Sequence, residues 1–126
     1  MVDIRRMRRI LEKESGDAFL HRTFTDMERE QALGRHDPAE YYAARFAAKE
    51  AVFKAVAHLT PARSFDFRIV ETLRHEDGSP YIHVTDALRP LLEKAGISVL
   101  HISITTEGDF AVAFVIACDD TQPVFE

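Results

Sequence analysis

The stretch from Tyr41 to His58, YYAARFAAKEAVFKAVAH, constrains the fold of this chain more than any other. Its apolar residues recur with a helical period and cover almost the whole circumference, which predicts a buried central helix. Glu50 falls inside an apolar stripe that includes Phe46 and Phe53. A carboxylate among Phe and Ala side chains is unfavourable unless a cation or hydrogen bonds satisfy it. Two interpretations stay open: Glu50 meets a ligand, or it pairs with Lys54 one turn later as an ordinary surface ion pair.

Composition and charge limit what else the chain can be. Its 126 residues suit one domain, for which we expect residues 1–118 with a polar tail at 119–126. The net charge of −5 argues against a general nucleic-acid binder. No apolar run reaches the ~18–20 residues of a membrane span, and the Arg-rich start lacks the apolar segment of a secretory signal. The lone Cys118 excludes an internal disulfide and suits a reducing, cytoplasmic location.

Helix signals surround the central stretch. Thr25 followed by Glu28 is a capping box, so a helix begins at Asp26, and Gly34 ends it. Pro38 is predicted to occupy the first position of the central helix. Thr85 or Asp86 caps a further helix that ends at Gly96.

Two strand pairs follow from alternation and turn residues. Ser64–Leu73 and Tyr81–Val84 are predicted to form a hairpin across the turn 75–80. Ile97–Thr105 and Phe110–Ala117 form a second hairpin, with its turn at 106–109. The small Ala111 and Ala113 would let a helix approach this second hairpin closely. The sequence therefore predicts an α+β fold, an antiparallel sheet packed on a long central helix.

RFAAKEAVFKA resembles the F-x-x-KEA-x-x-KA signature of the phosphopantetheinyl transferases, in the form called holo-acyl-carrier-protein synthase. That family uses Mg²⁺ to move the phosphopantetheine arm of coenzyme A onto a serine of an acyl carrier protein. The resemblance implies a 4′-phosphopantetheinyl transferase-like fold, this activity, and a homotrimer with each site between neighbouring subunits. The carrier would serve fatty acid or polyketide biosynthesis.

The resemblance extends to the first residues and to the predicted site. V-D-I-R-R-M-R-R-I is similar to the family's G-I-D-I-x-x-I-x-R-I, which implies that Asp3 and Glu50 hold the metal. Asp3 can instead be a polar terminal residue that caps the following helix. The predicted catalytic residues are Glu50, Lys54 and Glu30. The predicted contacts to coenzyme A are Arg9, Arg45, Lys54, Arg63, His101 and Ser103.

Alternatives stay open for several of these roles. Glu30 can be the general base or a solvated helix charge, with a metal-bound water as the other candidate base. His101 can bind ligand or be a hydrogen-bonded core histidine. Gly78-Ser79-Pro80 matches a family G-x-P, but turn geometry alone also explains this tripeptide.

The sequence departs from the family pattern at three places. The first strand is short, no glycine occurs between Gly34 and Gly78 where the family has a glycine-rich loop, and Thr106 replaces a histidine. Two further hypotheses follow. In the first, the chain is an altered or inactive relative that acts as a carrier-protein-binding or assembly module. In the second, it is an unrelated α+β protein that binds another phosphorylated ligand, or nucleic acid through the arginines at positions 5–9.

Overall fold

The 20-residue helix α4 (Pro38–Ala57) runs through the centre of the fold. The structure is a computed structural model, and it describes residues 1–57 and 66–119. Before α4 come β1 (Val2–Asp3), α1 (Ile4–Glu12), α2 (Gly16–Thr23) and α3 (Asp26–Ala32). After it come a 3₁₀-helix (Phe67–Ile69), β2 (Val70–Arg74), β3 (Pro80–Val84), α5 (Arg89–Ala95), β4 (Val99–Glu107) and β5 (Phe110–Cys118). Among the described helices, none combines the length and the apolar character that a membrane crossing needs.

The strands form two antiparallel sheets. One has the order β1-β5-β4, and the other is the hairpin of β2 and β3. Helix α4 contacts β5 along much of its length. Ala111 on β5 and Ala43 and Ala48 on α4 have no exposed surface, so small side chains allow the close approach. The prediction of an antiparallel sheet packed on a long central helix is confirmed.

Buried side chains form two clusters along α4. The first lies at its N-terminal half, where Ile4 and Met7 of α1 meet Phe24, Tyr42 and neighbouring alanines. The second lies at its C-terminal half, where Val52 and Val56 meet apolar side chains of both hairpins and α5, among them Val70, Ile82, Leu88, Leu92 and Ile97. Because α4 belongs to both clusters, it places residues of its middle turns between them.

The predicted helix boundaries are largely confirmed. Thr25 Oγ1 accepts from Glu28 N at 3.2 Å, and Glu28 Oε1 accepts from Thr25 N at 2.9 Å, which completes the capping box. Helix α4 begins at Pro38. The last helix begins later than predicted: Thr85 Oγ1 accepts from Leu88 N in a preceding turn, and α5 starts only at Arg89, with Leu88 at its N-cap position and no side-chain cap. Gly96 ends it as predicted, at φ 74°, a left-handed conformation that suits glycine.

Several strand boundaries differ from the prediction. Residues 67–69 form a 3₁₀-helix and β2 begins only at Val70, whereas Ser64 and Phe65 of the predicted strand lie outside the described residues. The Asp66 carboxylate caps the 3₁₀ turn by accepting from Arg68 N at 2.9 Å. Strand β4 also continues to Glu107, so the hairpin turn contains only Gly108 and Asp109.

Candidate functional site

A cavity of about 460 Å³ opens beside the N-terminal half of α4. Its volume lies in the range of small-molecule sites. Side chains from four parts of the chain line it: the segment before α4, α4 itself, the β2–β3 hairpin and the end of β4. The lining includes Arg35, Arg45, Arg74, Pro80, Thr105 and Thr106.

Arg45 is the most constrained charged group at this cavity. It comes from the second turn of α4, and its side chain is only 1% exposed. Its Cζ lies 4.8 Å from the ring centroid of Tyr41, a cation–π distance. Its Nε and Nη2 have no hydrogen-bond partner within the described residues. Buried polar groups are rarely left without partners, so these two N–H groups are the donors of Arg45 that the described residues leave unsatisfied.

Two further arginines, Arg35 and Arg74, line the same cavity. The Cζ of Arg35 lies 5.2 Å from the Tyr41 ring centroid. Burial lowers the pKa of Arg74, and the charges of Arg45 and Arg35 lower it further. Burial also raises the pKa of Tyr41, whose hydroxyl donates to the carbonyl of Glu28 at 2.8 Å. Three guanidinium groups that repel one another favour a ligand with several negative charges, and their planar N–H groups suit phosphate oxygens.

Asp3 and Glu50, the predicted metal ligands, come from different elements. Asp3 ends β1 opposite Phe110 and caps α1 by accepting from Arg5 N at 2.9 Å; the capping role considered from sequence is therefore real. Its carboxylate also accepts from Arg5 Nε at 3.3 Å and from Nη2 at 3.2 Å, and these contacts lower the pKa of Asp3. Glu50 is half-buried in the middle of α4.

The chemistry of these donors fits a hard divalent cation. Mg²⁺ binds proteins through one or two carboxylates, with substrate phosphates and waters completing its shell. The Asp3 side chain is 28% exposed and already holds a cationic group, the guanidinium of Arg5. In the described part of the chain, no group of three or more His, Cys, Asp or Glu side chains is placed to hold a metal. A site of two carboxylates completed by phosphate stays a prediction.

The other predicted site residues lie on the surface or outside the described chain. Arg9 on α1, Glu30 on α3 and Lys54 on α4 are exposed. His101 and Ser103 are exposed on the outward face of β4, so the interpretation of His101 as a core histidine is wrong. Arg63 and most of the segment where the family has its glycine-rich loop lie outside the described residues.

Helix α4 buries a second charged residue besides Arg45, and this residue, Lys49, was not predicted from the sequence. Its side chain is fully buried, and its Nζ lies 2.7 Å from Glu28 Oε1. Arg35 and Arg74 were also missed. A lysine inside a run of Ala and Val was a signal for a buried ion pair, but nothing in the sequence links Arg35 to Arg74.

Comparisons with known proteins identify the family and the fold of this chain. The family model of the 4′-phosphopantetheinyl transferase superfamily matches residues 2–115. A holo-acyl-carrier-protein synthase of Desulforudis audaxviator is 38% identical over 97% of this chain and 91% of its own length. The crystal structure of the Neisseria meningitidis synthase superposes with a TM-score of 0.80, at 37% identity, over 92% of this chain and 91% of that one. A Bacillus anthracis synthase in complex with coenzyme A (3′,5′-ADP) superposes with a TM-score of 0.70, at 29% identity, over 92% and 89%.

Proposed function

This chain belongs to the 4′-phosphopantetheinyl transferase superfamily, and from that premise we propose that it transfers the 4′-phosphopantetheine group of coenzyme A to a serine of an apo-acyl carrier protein. Its relatives from Desulforudis audaxviator and Brucella ovis are named as synthases of this kind, at 38% and 35% identity. The hypothesis that the resemblance misleads, and that the chain is an unrelated binding protein, is wrong because the family match covers residues 2–115.

The observation that carries the proposal is the buried guanidinium of Arg45. Two of its nitrogens have no hydrogen-bond partner within the described residues, and Arg35 and Arg74 add positive charge to the same cavity. Coenzyme A carries several phosphate charges, which this cluster would neutralise. We therefore add Arg35 and Arg74 to Arg45 as proposed contacts to coenzyme A. Arg9, Lys54, Arg63, His101 and Ser103 stay proposed contacts to coenzyme A.

The reaction places few chemical demands on the protein. The serine oxygen forms a bond to the β-phosphorus, the pyrophosphate bridge breaks, and adenosine 3′,5′-bisphosphate leaves while the serine proton passes to a base. Catalysis of phosphoryl transfer consists largely of positioning and charge neutralisation. In our proposal Asp3 and Glu50 hold Mg²⁺, which neutralises pyrophosphate charge when bound. The exposed ammonium of Lys54 reaches a phosphate oxygen, and Glu30 is the candidate base among the side chains.

We further propose that the protein assembles as a homotrimer. The outward face of the three-stranded sheet exposes Phe114 at 65% and Ile116 at 62%. Large apolar side chains side by side on one face mark interaction surfaces, and no other element in the described chain covers these two. His101 and Ser103 share this face on the neighbouring strand. A subunit packed here would bring its own residues towards them, which accounts for their exposure.

The physiological setting also belongs to the proposal. One cysteine in 126 residues suits a reducing compartment, and we place the reaction in the cytoplasm. The acceptor would be the carrier protein of fatty acid or polyketide biosynthesis.

One observation favours a second candidate, an altered relative that binds the carrier protein without transferring the group. Thr106, which stands where the family pattern has a histidine, lines the cavity. A threonine hydroxyl cannot supply the positive charge that a protonated histidine would give to a phosphate.

The proposal is tested with coenzyme A, Mg²⁺ and apo-carrier proteins of fatty acid and polyketide type, followed by intact-protein mass spectrometry. We expect the mass of at least one carrier to rise by one phosphopantetheine group. Carrier binding without any mass gain would contradict the transferase and support the altered relative.

A further inference from the structure

Arg5 holds the carboxylate that the proposed metal site needs. Its Nε lies 3.3 Å from Asp3 Oδ1, and its Nη2 lies 3.2 Å from Asp3 Oδ2, so the guanidinium covers both oxygens. The main-chain N–H of Arg5 adds a bond of 2.9 Å to Oδ1. A guanidinium on both oxygens opposes a divalent cation at the same carboxylate, because the two positive charges repel each other at short distance.

Arg5 also has a second acidic neighbour. Its Nη1 lies 3.5 Å from Asp109 Oδ2 in the β4–β5 turn. That turn is fixed to the start of α1, since Ile4 N donates to the carbonyl of Asp109 at 2.8 Å. The Asp109 side chain is 58% exposed and the Arg5 side chain 55% exposed. The guanidinium can therefore move from Asp3 towards Asp109 without disturbing the core.

We infer that Arg5 is an internal competitor of Mg²⁺ for Asp3, and that Asp109 receives the arginine when the metal binds. The inference rests on the proposed metal role of Asp3. It explains why an arginine of the exposed cluster at positions 5–9 is aimed at a carboxylate. As a consequence, two side chains that do not contact the metal change its affinity. Arg5 opposes metal binding, and Asp109 favours it.

The size of the effect follows from the exposure of the pair. An ion pair between exposed side chains changes an equilibrium by about two- to fivefold. Arg5 thus weakens metal binding without preventing it. Asp109 offsets part of that weakening because it offers the displaced guanidinium another partner.

The test compares charge-matched variants in the full chain. Mn²⁺ replaces Mg²⁺ as the probe, and its binding to the protein with coenzyme A, but without carrier protein, is followed by electron paramagnetic resonance. Arg5→Gln should tighten Mn²⁺ binding about two- to fivefold relative to Arg6→Gln, which removes the same charge from the next, exposed position. Asp109→Asn should weaken binding relative to Glu107→Gln, which removes an exposed acid of the same hairpin. Heteronuclear NMR should also show the Arg5 side-chain N–H resonance move on adding Mg²⁺.

Two outcomes separate this inference from the proposal beneath it. Equal tightening in Arg5→Gln and Arg6→Gln would show that Arg5 acts only through net charge, which overturns the competition and leaves the metal site standing. Unchanged Mn²⁺ binding in Asp3→Asn would remove Asp3 from the metal site, so the competition would fall with that assignment. Transfer to the carrier protein, measured separately, would still decide the enzyme activity.

Discussion

Glu28 and Lys49 form a fully buried ion pair, with Lys49 Nζ 2.7 Å from Glu28 Oε1 and neither side chain exposed. The pair joins four elements. The Glu28 carboxylate also accepts from Thr25 N at 2.9 Å and from Thr72 N at 3.1 Å. Lys49 Nζ also donates to the carbonyl of Phe67 at 2.8 Å and to that of Val70.

This network satisfies both charges, which is the condition for burying them. Its position matters because Lys49 precedes Glu50 on α4, and because the two carbonyls lie where the chain returns after residues 58–65. The pair therefore fixes the middle of α4 against α3 and β2. We expect it to stabilise the fold and to keep the next residue, Glu50, in place.

The first prediction concerns stability. Lys49→Met leaves the Glu28 carboxylate buried without its cation, and we expect a loss of about 3–5 kcal/mol in the free energy of unfolding. The measurement is chemical denaturation. Lys54→Met, at an exposed position of the same helix, should change stability by less than about 0.5 kcal/mol. If both variants unfold at the same denaturant concentration, the buried pair makes no net contribution to the free energy of unfolding.

A second prediction follows from the pKa of Lys49. Burial lowers this pKa below its ordinary value of 10.5, and the charge of Glu28 raises it only in part. Between the folded-state pKa and 10.5 the unfolded chain binds more protons than the folded one, so this lysine makes stability rise with pH across that window. The stability difference between the wild type and Lys49→Met should therefore grow as the pH rises towards 10.5. A difference that shrinks over this range would show a pKa shift of the opposite sign.

The third prediction concerns the arginine cluster. Arg45→Gln removes the buried charge and should weaken coenzyme A binding about 10- to 100-fold, the range expected for a charge-assisted hydrogen bond. Calorimetry measures the affinity. Arg89→Gln is the control, because Arg89 is an exposed residue of α5 that does not line the cavity. This variant should bind coenzyme A as the wild type does. Melting temperatures without ligand check that Arg45→Gln is folded. Unchanged affinity in a folded Arg45→Gln protein would place coenzyme A elsewhere.

A fourth prediction addresses assembly. Phe114→Asp places a charge on the outward face of the sheet and should convert a trimer into monomers, because a buried unpaired charge opposes association. Size-exclusion chromatography with light scattering gives the mass. Leu33→Asp removes a still more exposed apolar side chain, at 79%, from the end of α3 and should leave the mass unchanged. A wild-type protein of monomer mass would contradict the trimer itself.

The fold could be predicted from sequence wherever burial follows a period. The central helix, the capping box at Thr25 and both hairpins depend on neighbours within a few residues, and all of these features are present. The 3₁₀-helix at 67–69 was missed because it depends on the Asp66 cap, together with Lys49 of α4 at the carbonyl of Phe67. The alternation of polar and apolar residues in the sequence reveals neither of these contacts.

The site was harder to predict for the same reason. Lys49 and Glu50 are adjacent, yet a step of about 100° turns one into the core and leaves the other half-buried. Which of the two is buried depends on Glu28, and sequence alone does not bring α3 to that side of α4. Arg35, Arg45 and Arg74 likewise meet only because Tyr41 and the β2–β3 hairpin lie beside one another.

The last prediction tests Glu50 itself. Glu50→Gln keeps the size of the side chain and its half-buried position but removes the charge, so it should reduce transfer to the carrier protein by at least about 100-fold, since metal-assisted charge stabilisation supplies several kcal/mol. Mass spectrometry of the carrier measures the rate, and Mn²⁺ binding with coenzyme A should weaken in parallel. Glu93→Gln, on the exposed side of α5, is the matched control. Turnover that survives in Glu50→Gln, with Mn²⁺ still bound, would show that the metal does not depend on this carboxylate.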